Sequence, residues 1–205
     1  VLIASLPQGR VAIDDAAIRG MLEGLGKRVM HASIGIGNVE VTAHFEAAKL
    51  TGNIHNFKLD VDATTYQDLY ERYPGLPYVL GTTVDQWLAC CVELIARLQH
   101  DHDRIAVELL NGAPLGTLRH VTMDTGDLHE GGRSVAILRF DGDVRIVYKP
   151  KDLRIVRRVQ DLFASINAVL AQPLLHVREV VLGQGYAWES FVAFQGCTTR
   201  EEVEW

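Results

Sequence analysis

The spacing of apolar residues changes once along this chain, near Ala113–Pro114, and that change constrains the fold more than any other feature. Before it, apolar positions recur every three or four residues. After it, they fall into short runs rich in β-branched and aromatic residues, broken by Gly, Asp and Pro. The first period suits helices and the second suits strands. The expected fold class is therefore α+β, with a mainly helical region over 1–113 and a sheet-forming region over 114–205.

In the helical region, Asp14 and Asp15 precede Ile18, Met21, Leu22, Leu25 and Val29, the pattern of a capped amphipathic helix. Gly20, Gly24 and Gly26 weaken that pattern. A second, shorter helix is predicted over Val39–Leu50, and a third over Thr65–Tyr73, stopped by Pro74. The strongest runs from about Val84 to Leu110, with Trp87, Leu88, Cys91, Leu94, Ile95, Leu98, Ile105 and Leu109 on one stripe and Asn111–Pro114 as its stop.

In the second region, strands are predicted over Leu118–Met123, Ser134–Phe140, Val144–Lys149, Val177–Leu182 and Tyr186–Phe194. The pair Asp141–Gly142 signals a hairpin, because a type I′ turn needs positive φ. One helix interrupts the strands. Its apolar face holds Leu153, Val156, Val159, Phe163, Ile166 and Leu170, with Asp152 as cap and Pro173 beyond its end.

Composition narrows the function classes. At 48% hydrophobic the chain can bury a core, and its formal charge of -6 offers no basic footprint for nucleic acid or anionic membrane. No uninterrupted apolar run approaches the roughly 18 residues of a membrane span, and no signal segment is evident. Cys90, Cys91 and Cys197 lack metal-type spacing and read as free thiols, so a cytoplasmic location is expected. The chain is expected to be a fragment of a longer one.

The order strand, glycine-rich loop, strand, hairpin, strand, helix, strand, strand is that of a protein- or lipid-kinase-like small lobe: a five-stranded antiparallel sheet plus one helix. In such a lobe the loop covers nucleotide phosphates and a lysine on the third strand contacts them. Here that lysine is Lys149, and the loop is "TGDLHEGGR". Alternation places Arg145, Val147 and Lys149 on one face of the strand. The glycines Gly126, Gly131 and Gly132, with Arg133, suit phosphate binding. Asp127 and His129 add an acid and an imidazole that phosphate cradling does not require. Taken singly, Lys149 reads as a solvated strand end, a reading that the glycine loop and hairpin ahead of it reverse, and an isolated Asp-x-His reads as an Asx-turn beside a surface histidine.

Three ordered motifs then carry a resemblance. "GDLHEGGRSVAILRF", "VYKPKDL" and "YAWESFV", with the "CTTREEV" tail, resemble the dehydratase domain of class II lanthipeptide synthetases. That pattern runs Gly-Asp-x-His, Gly-Gly-Arg-x-Val, Tyr-Lys-Pro-Arg and Tyr-Gly-Trp-x-Glu. Upstream, "RYPGLPYVL" and "ELIARLQHDHDRI" are similar to its "YP-x-L" and "R-L-x-x-D" segments. The resemblance covers roughly Tyr70 to Val203.

The resemblance implies an ATP- and Mg²⁺-dependent enzyme. It would phosphorylate Ser and Thr of a lanthipeptide precursor (leader plus core), then eliminate phosphate to leave dehydroamino acids. Lys149 would hold ATP, and Asp127 and His129 would serve elimination. The Mg²⁺ ligands and a zinc cyclase domain are expected in the rest of the synthetase chain, beyond Trp205, so the fragment alone is expected to be inactive. Neither nucleic acid nor membrane is an expected partner. This chain departs from the pattern at Lys151, where arginine is usual, at Ala187, where glycine is usual, and in local spacing at Ser190. No acidic partner for Lys149 is assigned, since Asp161 projects away from the apolar stripe and Asp152 reads as a cap.

Two other readings stay open: a non-catalytic kinase-like module that binds peptide or nucleotide, and a helical scaffold joined to an unrelated α+β domain. The cluster His100, Asp101, His102 and Asp103 reads as a solvated helix turn rather than a metal site. His31, His44 and His55 are isolated, and Trp87, Trp188 and Trp205 read as core or interface aromatics.

Overall fold

A computed structural model describes residues 2–7, 9–52, 63–194, 196–197 and 199. His55, Trp205 and most of the "CTTREEV" tail lie outside the described residues. The helical part comprises α1 (Leu2–Ser5), α2 (Asp15–Leu50), α3 (Ala63–Arg72) and α4 (Gly75–Leu110). The sheet part runs β1 (Leu118–Thr122), β2 (Ala136–Phe140), β3 (Arg145–Lys149), α5 (Arg154–Asn167), β4 (Val180–Leu182) and β5 (Ala187–Ser190). The five strands form one sheet in the order β1-β2-β3-β5-β4, every neighbour antiparallel. The α+β class and the five-stranded sheet with one helix are therefore as expected.

The two helices predicted between residues 14 and 50 are one. Asp14 caps α2 through a 2.7 Å bond from the Ala16 amide, as expected. The glycines that weaken the pattern have a packing reason. A Cβ on Gly20 would lie 2.3 Å from the Val121 carbonyl oxygen, so only glycine lets α2 approach β1 this closely. Helix α4 begins at Gly75, nine residues before the predicted Val84. It stops where expected, at Asn111, whose φ of 52° is left-handed.

One core joins the helices and the sheet. Met21 of α2, Trp87, Leu94, Ile95 and Leu98 of α4, and Leu118, Leu138, Ile146 and Trp188 of the strands belong to one buried cluster. One 18-residue stretch of α4 is also apolar enough to cross a membrane by length and composition, with a mean hydropathy of 1.3.

The β2–β3 hairpin also differs in detail. Positive φ falls on Gly142 (67°) and Asp143 (59°), so the tight turn is centred one residue later than the Asp141–Gly142 pair. Asp141 instead opens the turn, its side chain accepting from the Thr117 amide at 2.8 Å and from Arg119 at 2.6 Å.

The opposite face of the sheet holds a smaller cluster of Leu153, Val180 and Ala187, flanked by Val156 and Leu182. Only the start of α5 seals it. Gln160 is buried and accepts from the Arg178 amide, while Val159, Leu162 and Ile166 are exposed. The predicted apolar face of α5 thus packs at Leu153 and Val156 and is exposed at Val159, Ile166 and Leu170.

Candidate functional site

Strand alternation decides what each side of β3 can do. Ile146 and Tyr148 are buried toward α4, and Val147 and Lys149 face the other way. On neighbouring β5, Glu189 lies directly across from Val147, and Ala187 across from Lys149. Glu189 is therefore one diagonal step from Lys149 on the same face. Its carboxylate Oε2 pairs with Lys149 Nζ, and Arg178 Nη1 lies 3.8 Å from the same oxygen.

Glu189 is 2% exposed, whereas the Lys149 side chain is 26% exposed. A buried carboxylate thus anchors an ammonium that still reaches solvent. The other carboxylate oxygen, Oε1, is buried with no hydrogen-bond partner among the described residues. Glu189 therefore keeps acceptor capacity after it has engaged Lys149. Gln160 supports the cluster from α5, its side-chain oxygen accepting from the Arg178 amide at 2.8 Å.

The acidic partner that sequence reasoning left unassigned is Glu189. It stands on a strand, not on the helix that follows the lysine. Asp152 and Asp161 are engaged elsewhere: Asp152 with Arg154 at 2.6 Å and Asp161 with Arg157 at 3.5 Å. The signal present in sequence was the glutamate of "YAWES" itself, an acid at an inward-facing register of an otherwise apolar strand.

The loop between β1 and β2 is held from behind. The His129 amide donates to the Arg133 carbonyl at 2.7 Å, and the Gly132 amide donates to the His129 carbonyl at 2.9 Å. Gly131 and Gly132 have φ of 69° and 75°. A Cβ on Gly132 would stand 3.1 Å from Gln86 and 3.2 Å from Arg28, so this glycine fits the loop against α4 and α2. Cys90 reaches the Gly131 carbonyl at 3.5 Å, and Arg133 bonds Glu93 at 2.8 Å.

Beneath the loop, Arg28 is 6% exposed and grips Asp124 through two hydrogen bonds, at 2.9 and 2.5 Å. Burial alone would raise the Asp124 pKa. The hydrogen bonds from Arg28 and Ser134 outweigh it and hold the carboxyl below its ordinary 3.8.

Asp127 and His129 are both exposed and open onto different hollows. Asp127, with Gly126 and Leu128, faces a groove of about 740 Å³ walled by α2 residues such as Met30 and His31 and by Thr83 and Gln86 of α4. His129, with Glu130 and Arg133, faces a second cavity that includes Arg97, Lys151 and Gly185. Neither side chain makes a hydrogen bond or ion pair among the described residues. Lys149 lies on the sheet face away from α4, held by Glu189.

Asp101 also departs from its sequence reading. It is 1% exposed and accepts from the Tyr186 hydroxyl at 2.7 Å and from the Trp188 indole N–H at 2.9 Å. It ties α4 to β5 from inside. Burial, followed by the bond to Asp101, pushes the Tyr186 hydroxyl up to about 12, so this phenol stays a donor at neutral pH. Among the described residues no three His, Cys, Asp or Glu side chains converge as metal ligands would.

Taken together, the fold and the site define an α+β protein whose glycine loop is braced by a helical layer and whose strand lysine is held by the neighbouring strand. A family described as a domain of unknown function (DUF4135) matches residues 73–205, and the chain belongs to it. That family is associated with lanthipeptide synthetases. The comparison with curated proteins found no match.

Proposed function

We propose that the chain is the N-terminal part of the kinase-like dehydratase domain of a class II lanthipeptide synthetase. It would phosphorylate Ser and Thr of a precursor peptide with ATP and then eliminate the phosphate. The observation that carries this reading is the Lys149–Glu189 pair, on the central strand β3 and its neighbour β5, at the end where the glycine loop returns. An ammonium fixed by a buried carboxylate, still part-exposed, suits the phosphates of ATP. The spare acceptor on Glu189 fits this, because the carboxylate can hold Lys149 and meet a further donor.

Within this reading Lys149 steadies the phosphates during transfer to the substrate hydroxyl. Elimination takes the α-proton from the phosphorylated residue, breaks its Cβ–O bond and releases phosphate. His129 is the candidate to move a proton, since its ring is exposed and unpaired among the described residues. Asp127 acts from the α2–α4 side of the loop, where the peptide would lie. Within this reading the Mg²⁺ ligands would belong to the rest of the synthetase.

The test uses the complete synthetase, ATP, Mg²⁺ and a precursor peptide, read by mass spectrometry. Lys149→Ala should leave the peptide unmodified. His129→Ala should accumulate phosphopeptide. Fully dehydrated product from both variants would remove the assignment, and ATP binding with no product from the unaltered enzyme would favour a non-catalytic nucleotide-binding module.

A further inference from the structure

Three segments singled out in the sequence meet at one cavity of about 440 Å³ at the end of the sheet. Arg97 comes from the "RLQHD" segment of α4, Arg133 from "GGR", and Lys151 from "YKPK". His129, Glu130 and Gln184 complete the polar lining, so one carboxylate stands among three cationic side chains, and Gly185 lies in the β4–β5 turn. Tyr148 and Lys149 leave opposite faces of β3, and Arg97 bonds the Tyr148 hydroxyl, so this cavity is on the α4 side and separate from the Lys149–Glu189 pair.

The two guanidiniums are fixed before any ligand arrives. Glu93 pairs with Arg97 through one carboxylate oxygen and with Arg133 through the other. Arg97 is further held 4.2 Å from the centroid of the Tyr186 ring. Arg133 spends Nε on Glu93 and Nη1 on the Glu130 carbonyl at 3.1 Å, leaving Nη2 uncommitted. The Lys151 ammonium and the His129 ring have no hydrogen bond or ion pair among the described residues. Rigid guanidinium donors beside a free ammonium and an imidazole match a compact, doubly charged oxyanion better than a carboxylate or an apolar ligand.

We propose that this cavity binds a terminal phosphate, carried by a phosphorylated Ser or Thr of a peptide or by a nucleotide. The site is distinct from the Lys149 position. It rests on the dehydratase reading only for the peptide source, where it would hold the phosphorylated intermediate beside His129 between the two steps.

Calorimetric titration tests it on the complete synthetase with three probes: a phosphoserine peptide, its unphosphorylated counterpart and ATP. The phosphorylated ligand that uses the cavity should bind about tenfold more weakly to Lys151→Ala, as expected for one lost charge-assisted contact. Arg133→Lys should also weaken it, since the planar fork is lost. Lys49→Ala, at the far end of α2, should change nothing. The unphosphorylated peptide should be indifferent to all three substitutions. Dependence on Lys151 in the phosphopeptide arm assigns the peptide as source, and dependence in the ATP arm alone assigns the nucleotide. Equal affinities for both phosphorylated probes across all variants, or no binding of either up to millimolar concentration, would overturn the site. A failed dehydration assay with Lys151-dependent phosphopeptide binding would count against the dehydratase reading alone.

Discussion

Glu189 on β5 holds Lys149 on β3 from one diagonal step away, so the sheet itself supplies the carboxylate that fixes the lysine. Two strands in register set this geometry, and it does not depend on how α5 is docked. Most of the α5 surface is exposed, with Ile155 at 71% and Leu162 at 56%. A helix-borne acid would move with that helix; Glu189 cannot.

Removing Lys149 should cost stability as well as activity. Lys149→Met leaves a 2%-exposed carboxylate with Arg178 at 3.8 Å as its remaining cation. The expected loss is about 2 kcal/mol, at the low end for a broken buried pair because Lys149 is part-exposed. Adding Glu189→Gln should recover part of it. Urea midpoints for the four proteins of that cycle measure the coupling, and strictly additive losses would show that the two groups do not interact.

Asp101 is the buried acceptor for two donors, and its truncation should be among the most damaging in the chain. Asp101→Ala strands the Tyr186 hydroxyl and the Trp188 indole N–H, costing about 3 kcal/mol. In a chain of this size that lowers the melting temperature by about 6–12 °C. Differential scanning calorimetry reads it directly. Both donors share Oδ2, so Asp101→Asn can keep that acceptor and should lose much less than Asp101→Ala.

The Arg28–Asp124 pair predicts an acid-sensitive component of stability. The folded Asp124 carboxyl sits below its ordinary 3.8. Its contribution is complete above 3.8 and is lost as pH falls through the lower folded value, because the unfolded chain takes up the proton first. Urea midpoints measured from pH 6 down to pH 2.5 should fall less steeply below 3.8 in Asp124→Asn than in the parent. Parallel acid limbs would contradict the assignment.

Two loop glycines should respond oppositely to alanine. Gly132 combines a φ of 75° with side-chain atoms at 3.1 and 3.2 Å from a new Cβ. Gly132→Ala should cost about 2 kcal/mol and shift the loop. Gly126 has open space around its Cβ position, and Gly126→Ala should stay within about 0.5 kcal/mol. Thermal melts compare the pair, and limited proteolysis reports loop movement.

Much of the fold was legible because period and punctuation agreed. All five strands fell where β-branched runs lay between turn residues. Local signals failed where a distant contact decided the outcome. Gly20 reads as a helix weakener until β1 is placed against it, and Gln160 reads as polar surface until the Arg178 amide is seen to need an acceptor. Asp101 sat in a run of charged and titratable residues, and nothing within α4 announces that Tyr186 and Trp188 lie beside it. The lysine and the loop were readable as motifs. Their braces, Glu189, Arg28 and Glu93, were not, since each is defined by a partner at least 40 residues away.

Helix α2 lies wholly outside the segment that the family match covers, yet Met21 and Gly20 are pressed into strand β1, which lies inside it. The family boundary at residue 73 therefore cuts through a shared interior. Trimming the protein to the matched segment would strip one wall from β1 and from Arg28's grip under the glycine loop, so anyone isolating the lobe for study should carry the first fifty residues along with it.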